Sequence, residues 1–436
     1  MTMLLAACSG ETGDLLETVP ADVDYVAVTD INKVVEAFNI VVKDGKTTIP
    51  SSLTPLLDLT GGNAAAIDNL WKAVDTRCVV VYGYGDGQPV VTFKILDKDA
   101  LLRLFGTPEL DGRDGFDIGR VSGGLTLAVK GKQGWLVRAS DAAEMLSEQL
   151  KDASEEDVTV LSGVTETLNG DSPIRMAMQS TMLGMQNADE WSCVSIDLAE
   201  DVITAELHQI DSYGNPVTTS GLQTLSTDFL RYTPPAANMC AAIGATKATD
   251  WNFIFGVLGG LGGTQMNGLL QTVRPYLVKA DGTVAMAANV DPADPGAWGA
   301  QFLMMVHMPQ ADMDSALADI ENRMREAGGT PHRDPRTGAV AVSGGKGLSL
   351  YAAPVDGYLA VSSFPLMPTQ NNEMNTYFLS KKAAVVLSLS AEEMSALGLN
   401  GQMTLSLQWE SNRVVAMLQS QQPISGLLTS LLTLAL

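Results

Sequence analysis

The stretch VSGGLTLAV (residues 121–129), followed by GWLV (134–137), returns later in the chain as VSGGKGLSL (342–350), followed by GYLA (357–360). Each copy reads as a strand, a glycine-bearing turn and a second strand. β-Branched and aliphatic residues fill the runs, and glycine punctuates them. Gly134 and Gly357 each stand before an aromatic residue. They are expected at equivalent hairpin turns, where positive φ favours glycine.

Working outward, further pairs keep the same order. Pro20-Ala21 before Tyr25–Val28 matches Pro235-Ala236 before Cys240–Ile243. Gly61-Gly62 matches Gly262-Gly263, and Ser220-Gly221-Leu222 matches Ser425-Gly426-Leu427. Strands at Val194–Leu198 and Ile203–His208 match Leu405–Trp409 and Val414–Gln419. The offsets run from 201 to 223 residues, as loop insertions would produce. Matches in register at this spacing indicate a duplication. In Ile203–His208, Ile203, Ala205 and Leu207 share one strand face, a pattern of one buried face and one wet or helix-covered face. The expected fold is therefore α+β: two tandem copies of one unit, each a mostly antiparallel sheet with helices packed on one face. The expected organisation is residues 1–18 as an anchor motif and tether, 19–230 as the first copy and 231–436 as the second, with Tyr-Thr-Pro-Pro at 232–235 as the joint.

The chain holds 50 Asp+Glu against 27 Lys+Arg, a formal charge of −23. Such a surface repels phosphate backbones, so nucleic acid is excluded as a partner class. The charge is uneven. Residues 1–230 hold 35 acids and 15 bases, whereas residues 231–436 hold 15 and 12. Interface cores are depleted in charge and enriched in Met, and 13 of the 20 methionines follow residue 230. A macromolecular partner's apolar patch is accordingly expected on 231–436.

Leu5-Ala6-Ala7-Cys8 resembles a bacterial lipobox, in which cleavage before a cysteine frees a thiol for lipid. No Lys or Arg precedes it, and the apolar run before it is short. Cys8 is the expected lipidation residue. Cys78, Cys193 and Cys240 lie in apolar runs with no CxxC spacing and are read as small buried hydrophobes. The segment VPADVDYVAV (19–28), together with Cys8 and the doubled pattern, resembles the Bacteroidetes envelope lipoproteins grouped as domains of unknown function. That resemblance implies an outer-membrane lipoprotein, facing the periplasm or the cell surface. It implies no activity and no site residue beyond the lipidated cysteine.

The sequence carries no GxSxG, HExxH, GxxxxGK[ST] or EF-hand pattern. No catalytic, cofactor-binding or metal-ligating residue is assigned. Gly256–Gly263 lacks the Lys-Ser/Thr of a phosphate loop and is read as a turn or close-packed join. His208, His307 and His332 fall in separate elements; His332 sits with Arg333 and Arg336 in a polar loop read as a solvated hairpin tip. Met304, Met305, His307 and Met308 offer soft ligands, but alternation sends Met305 and His307 away from Met304 and Met308. Carboxylate pairs such as Asp22 with Asp24, or Glu155, Glu156 and Asp157, are abundant. The expected function is a lipid-anchored envelope protein with a non-enzymatic binding or scaffolding role, its partners the membrane and an envelope protein or glycan, with no cofactor. Two alternatives stand beside it: an extracytoplasmic hydrolase using paired carboxylates in a cleft between the copies, and a metal-handling lipoprotein.

Overall fold

A computed structural model of the chain describes residues 7–421 and 423, apart from 44–45, 50–63, 86, 107–108, 122–123, 140, 184–188, 218–221, 253, 256–272, 291–297, 344–348, 369–383, 397–400 and 410–412. Two compact units emerge, the first including Met1–Val217 and the second being Thr218–Gln421.

In the first unit ten strands pair antiparallel in the spatial order 111–113, 116–121, 125–130, 133–137, 90–95, 74–83, 25–29, 174–179, 191–198 and 202–210. Valine and isoleucine dominate the central strands, where branched side chains suit a packed pleated surface. Alternate residues feed different cores. Cys78, Val80 and Tyr82 join Val26, Val28, Ala128, Trp135 and Ala177. Leu127, Val129, Phe93 and Ile95 pack on the other side with Ala100 and Leu101. The helix Ala142–Glu155 supplies Ala142 and Leu146 to the first core. Helices Ala64–Ala73 and Lys98–Leu104 supply Ala73, Ala100 and Leu101 to the second. The Asp97 carboxylate starts the latter helix by accepting from the Ala100 N–H at 3.0 Å.

The second unit pairs its strands in the order 332–333, 340–343, 349–355, 358–362, 298–307, 282–290, 239–245, 385–389, 403–409 and 413–420. Here too alternate residues part. Val306 and Met308 pack with Met313, Leu317 and Ile320 of helix Gln310–Glu326. Leu303 and Met305 pack instead with Phe229, Cys240 and Val386.

These observations correct the expected fold class. The chain is mostly antiparallel sheet, with twenty strands in these pairings. Helices are few: eight α-helices among the described residues, six of them ten residues or shorter. They do not form one layer on one face of two α+β copies. Strand order is the same in both units, but the described helices are not. The physical reason lies in the strands themselves. Leu-Thr-Leu-Ala-Val at 125–129 is a continuous apolar run, buried from Thr126 to Val129, and such a run belongs to a strand covered on both faces.

The glycine correspondence also fails. Gly357 does sit in a turn, with φ +84° after Asp356 at φ +48°. Gly134 lies inside strand Gln133–Val137, and the preceding turn uses Gly131 at φ +62°. Gly134 is small for another reason. A Cβ there would come within 2.5 Å of the Phe93 ring on the neighbouring strand.

The segment read as a tether is helical over Ala7–Leu16, and Thr12, Leu15 and Leu16 are buried. No helix among the described residues is long and apolar enough to cross a membrane.

Candidate functional site

A concavity of about 680 Å³ lies in the first unit where Pro20–Asp22 meets the end of helix Ala142–Glu155. Local pairing builds it. The Val158 N–H donates to the Val19 carbonyl at 2.9 Å, and the Ala21 N–H donates to the Glu156 carbonyl at 3.1 Å. Asp152 and Glu155 share a helix face at i,i+3 spacing. The chain turns extended at Glu156, and this brings Asp22, Asp152, Glu155, Glu156 and Asp157 around one hollow.

The chemistry of this hollow is that of a solvated acidic surface. Asp22, Asp152, Glu155 and Glu156 are exposed. Asp157 is already engaged, its Oδ1 accepting from the Thr159 N–H at 2.8 Å and from the Thr159 hydroxyl. The Tyr84 hydroxyl donates to Asp22 Oδ1 at 3.2 Å. Burial first, and the Asp22 charge second, push the Tyr84 phenol well above its ordinary value, so it stays a donor. Asp152 and Glu155 crowd a helix C-terminus that carries no basic residue, an arrangement opposed by the helix dipole. Acid–base hydrolysis requires a shielded carboxyl facing a second across a cleft. The hollow does not supply that shielding: Asp22, Asp152, Glu155 and Glu156 are all exposed.

The structure thus redistributes the carboxylates noted in the sequence. Asp22 joins Glu155, Glu156 and Asp157, while Asp24 turns away to accept from the Gly85 N–H. Asp152 and Tyr84 were not singled out by sequence. The only signal for Asp152 was its i,i+3 relation to Glu155, and nothing local marked Tyr84.

His208 lies in strand Val202–Ile210, opposite Cys193 on the neighbouring strand. Its Nε2 is 3.3 Å from Thr167 Oγ1, and that hydroxyl donates to the Gly163 carbonyl at 3.2 Å. Burial pushes the Cys193 thiol up to about 11, against a smaller opposing effect of a Thr167 hydrogen bond, so it is no nucleophile. Cys78 and Cys240 are likewise buried and free, with burial raising both thiols.

Burial lowers the His208 pKa, outweighing the opposing charges of Glu166 and Glu206. The neutral ring is therefore favoured in the fold. Its contribution to stability is full above the unfolded value of about 6.5 and is lost as pH falls from there through the lowered folded value. Urea midpoints should drop between pH ~7.5 and pH ~5.5, and the drop should be smaller in His208→Gln. Equal drops in the two proteins would remove His208 from the acid response.

His307 turns its ring edge-on to Tyr358 at 5.3 Å between centroids, and its Nδ1–H donates to the Asp281 carbonyl at 2.7 Å. Met305 is buried in one core and Met308 in the other, so the soft ligands of this strand are not gathered. No cluster of three His, Cys, Asp or Glu suited to a metal occurs among the described residues. His332 and Arg333 form a two-residue strand, and the Arg333 guanidinium pairs with Glu321 at 3.1 Å. Cys8 lies in the helix Ala7–Leu16. Leu5, Ala6, Gly61-Gly62, the 256–263 glycine run and Leu427–Leu436 lie outside the described residues.

No protein-family model matches the chain. No curated protein matches it. A solved structure described as "Structure of crystal form I of TP0453" is similar at 8% sequence identity and a TM-score of 0.30, covering 45% of this chain and 78% of that one.

Proposed function

We propose that the chain is a lipid-anchored protein of the bacterial envelope with a binding or scaffolding role and no catalysis of its own. The observation that carries this reading is Leu5-Ala6-Ala7-Cys8, small residues before a thiol in the order that lipoprotein processing requires. The described surface agrees with it. The hollow at Pro20–Asp22 is open and lined by exposed carboxylates, unlike the mostly apolar, enclosing pockets in which ligands are turned over. Placement in the outer membrane, and an envelope protein or glycan as the partner, follow from the same reading.

The local structure gives the anchor a short reach. Leu15 and Leu16 are buried in the first unit, seven and eight residues after Cys8. At ~1.5 Å per helical residue, seven or eight residues rise about 10–12 Å. The first unit is then held close to the lipid surface.

In cells making the protein behind a functional export leader, Cys8→Ala should move it from the membrane fraction to the soluble fraction. Mass spectrometry of the N-terminal peptide should show acyl mass on Cys8 in the parent and none in the variant. An unmodified Cys8 with unchanged fractionation would overturn the proposal.

A further inference from the structure

The first unit also holds a smaller cavity, about 250 Å³, with a composition opposite to that of the acidic hollow. Among the described residues its lining includes two guanidinium groups, Arg120 and Arg138, and no Asp or Glu. The chain as a whole has nearly two acids for each base, 50 against 27, so a two-base lining with no acid departs from the average surface.

Sheet register brings the backbones of the two arginines near one another. Arg120 is opposite Thr126, and Thr126 is opposite Val137, the residue before Arg138. The two backbones are therefore two strand spacings apart, roughly 9–10 Å. Arg138 follows Val137 just past the end of its strand, and both arginines line the cavity. The floor is held in place: Thr126 is buried and its hydroxyl donates to the Ala139 carbonyl at 3.2 Å. Gly124, at φ +74°, leaves open space where a side chain would stand. Arg138 has interactions of its own. Arg120 pairs with no carboxylate among the described residues, although the stretch 1–230 carries 35 of them.

We infer that the Arg120–Arg138 cavity is a binding site for a phosphate group. The guanidinium is a planar fork that meets phosphate with two parallel N–H···O bonds. At about 250 Å³ the cavity falls below the ~300 Å³ at which drug-sized ligand pockets begin, which suits a phosphate or a headgroup rather than a larger molecule. The acidic unit repels anions at long range, so these local donors alone discriminate phosphate from other anions. The phosphate belongs either to a soluble monoester or to a lipid headgroup, and the two sources share the same contact chemistry.

The test uses the purified full chain. Inorganic phosphate is titrated at constant ionic strength made up with chloride, with binding read by calorimetry and by the midpoint of thermal unfolding. Phosphate should give a saturable rise in that midpoint that chloride does not. Arg120→Gln should weaken binding about tenfold or more, by loss of a charge-assisted bidentate pair. Arg120→Lys should recover only part of it, because a point charge replaces the fork. Circular dichroism of each variant confirms that the exposed substitution leaves the fold intact. Glycerol phosphate and vesicles of phosphatidic acid in phosphatidylcholine then separate the sources: an Arg120-dependent gain with the first identifies a soluble monoester, and with the second a headgroup. Phosphate behaving as chloride does, or binding unchanged in both Arg120→Gln and the Arg120→Gln/Arg138→Gln double variant, would overturn the inference.

Discussion

Trp135→Ala should lower the unfolding free energy by about 3–5 kcal/mol, the range for removing a fully buried aromatic side chain. Trp135 is 1% exposed and sits in the middle of the first unit's sheet, opposite Thr92 on one side and Ala128 on the other. Its ring meets Phe116 edge-on at 5.6 Å between centroids and 81° between planes, a favoured aromatic geometry. The Lys130 ammonium lies 5.1 Å from the far partner of that pair, the Phe116 ring. Truncation opens a cavity that strands fixed by ladders on both sides cannot close. The indole adds a second, opposite effect. Its Nε1–H is buried without a hydrogen-bond partner among the described residues, which costs about 1–3 kcal/mol. Trp135→Phe loses some packing but removes that donor, so it should cost no more than about half as much as Trp135→Ala. Urea unfolding of the two variants measures the difference. Equal losses would mean that the indole N–H is satisfied in solution and that ring volume alone sets the cost.

Gly134→Ala should cost about 1–3 kcal/mol through overpacking, with no contribution from backbone strain. The added methyl would stand 2.5 Å from the Phe93 ring, itself 3% exposed and packed among Ile95, Leu101 and Leu127. Phe93 has no free volume to move into. A smaller residue at 93 should relieve the clash, so Gly134→Ala should cost distinctly less in a Phe93→Leu background. The four proteins form a double-mutant cycle, and a coupling energy near zero would show that the methyl and the ring do not compete for one space. Gly357→Ala forms the contrast. Its φ of +84° makes an L-residue unfavourable whatever surrounds it, and no change at a packing neighbour should rescue it.

These two glycines show where sequence reading held and where it did not. The strand–turn–strand pattern at 121–137 and 342–360 was legible, because apolar runs broken by glycine have few other solutions. The role of each glycine was not. Glycine answers two separate demands, positive φ and absence of a side chain, and one letter serves both. Gly131 and Gly357 meet the first, whereas Gly134 meets the second against a ring 41 residues earlier in the chain. The same limit applies to the site. Glu155, Glu156 and Asp157 stood out as a run, but their meeting with Asp22 depends on an antiparallel bridge between Pro20 and Asp157. Arg120 and Arg138 are 18 residues apart with no motif between them. Only the folded strands bring them to one cavity.

By itself the sequence determined the antiparallel strands, the buried cysteines and the acidic charge. All of these follow from local composition and period, which act over a few residues. The tertiary structure decided that both faces of the central strands are covered. It also decided that the helices are a minority serving more than one core, and that carboxylates gather at one place and arginines at another. Such outcomes depend on which distant strands pair and in what register, and a shift of one residue there would send every side chain to the opposite face.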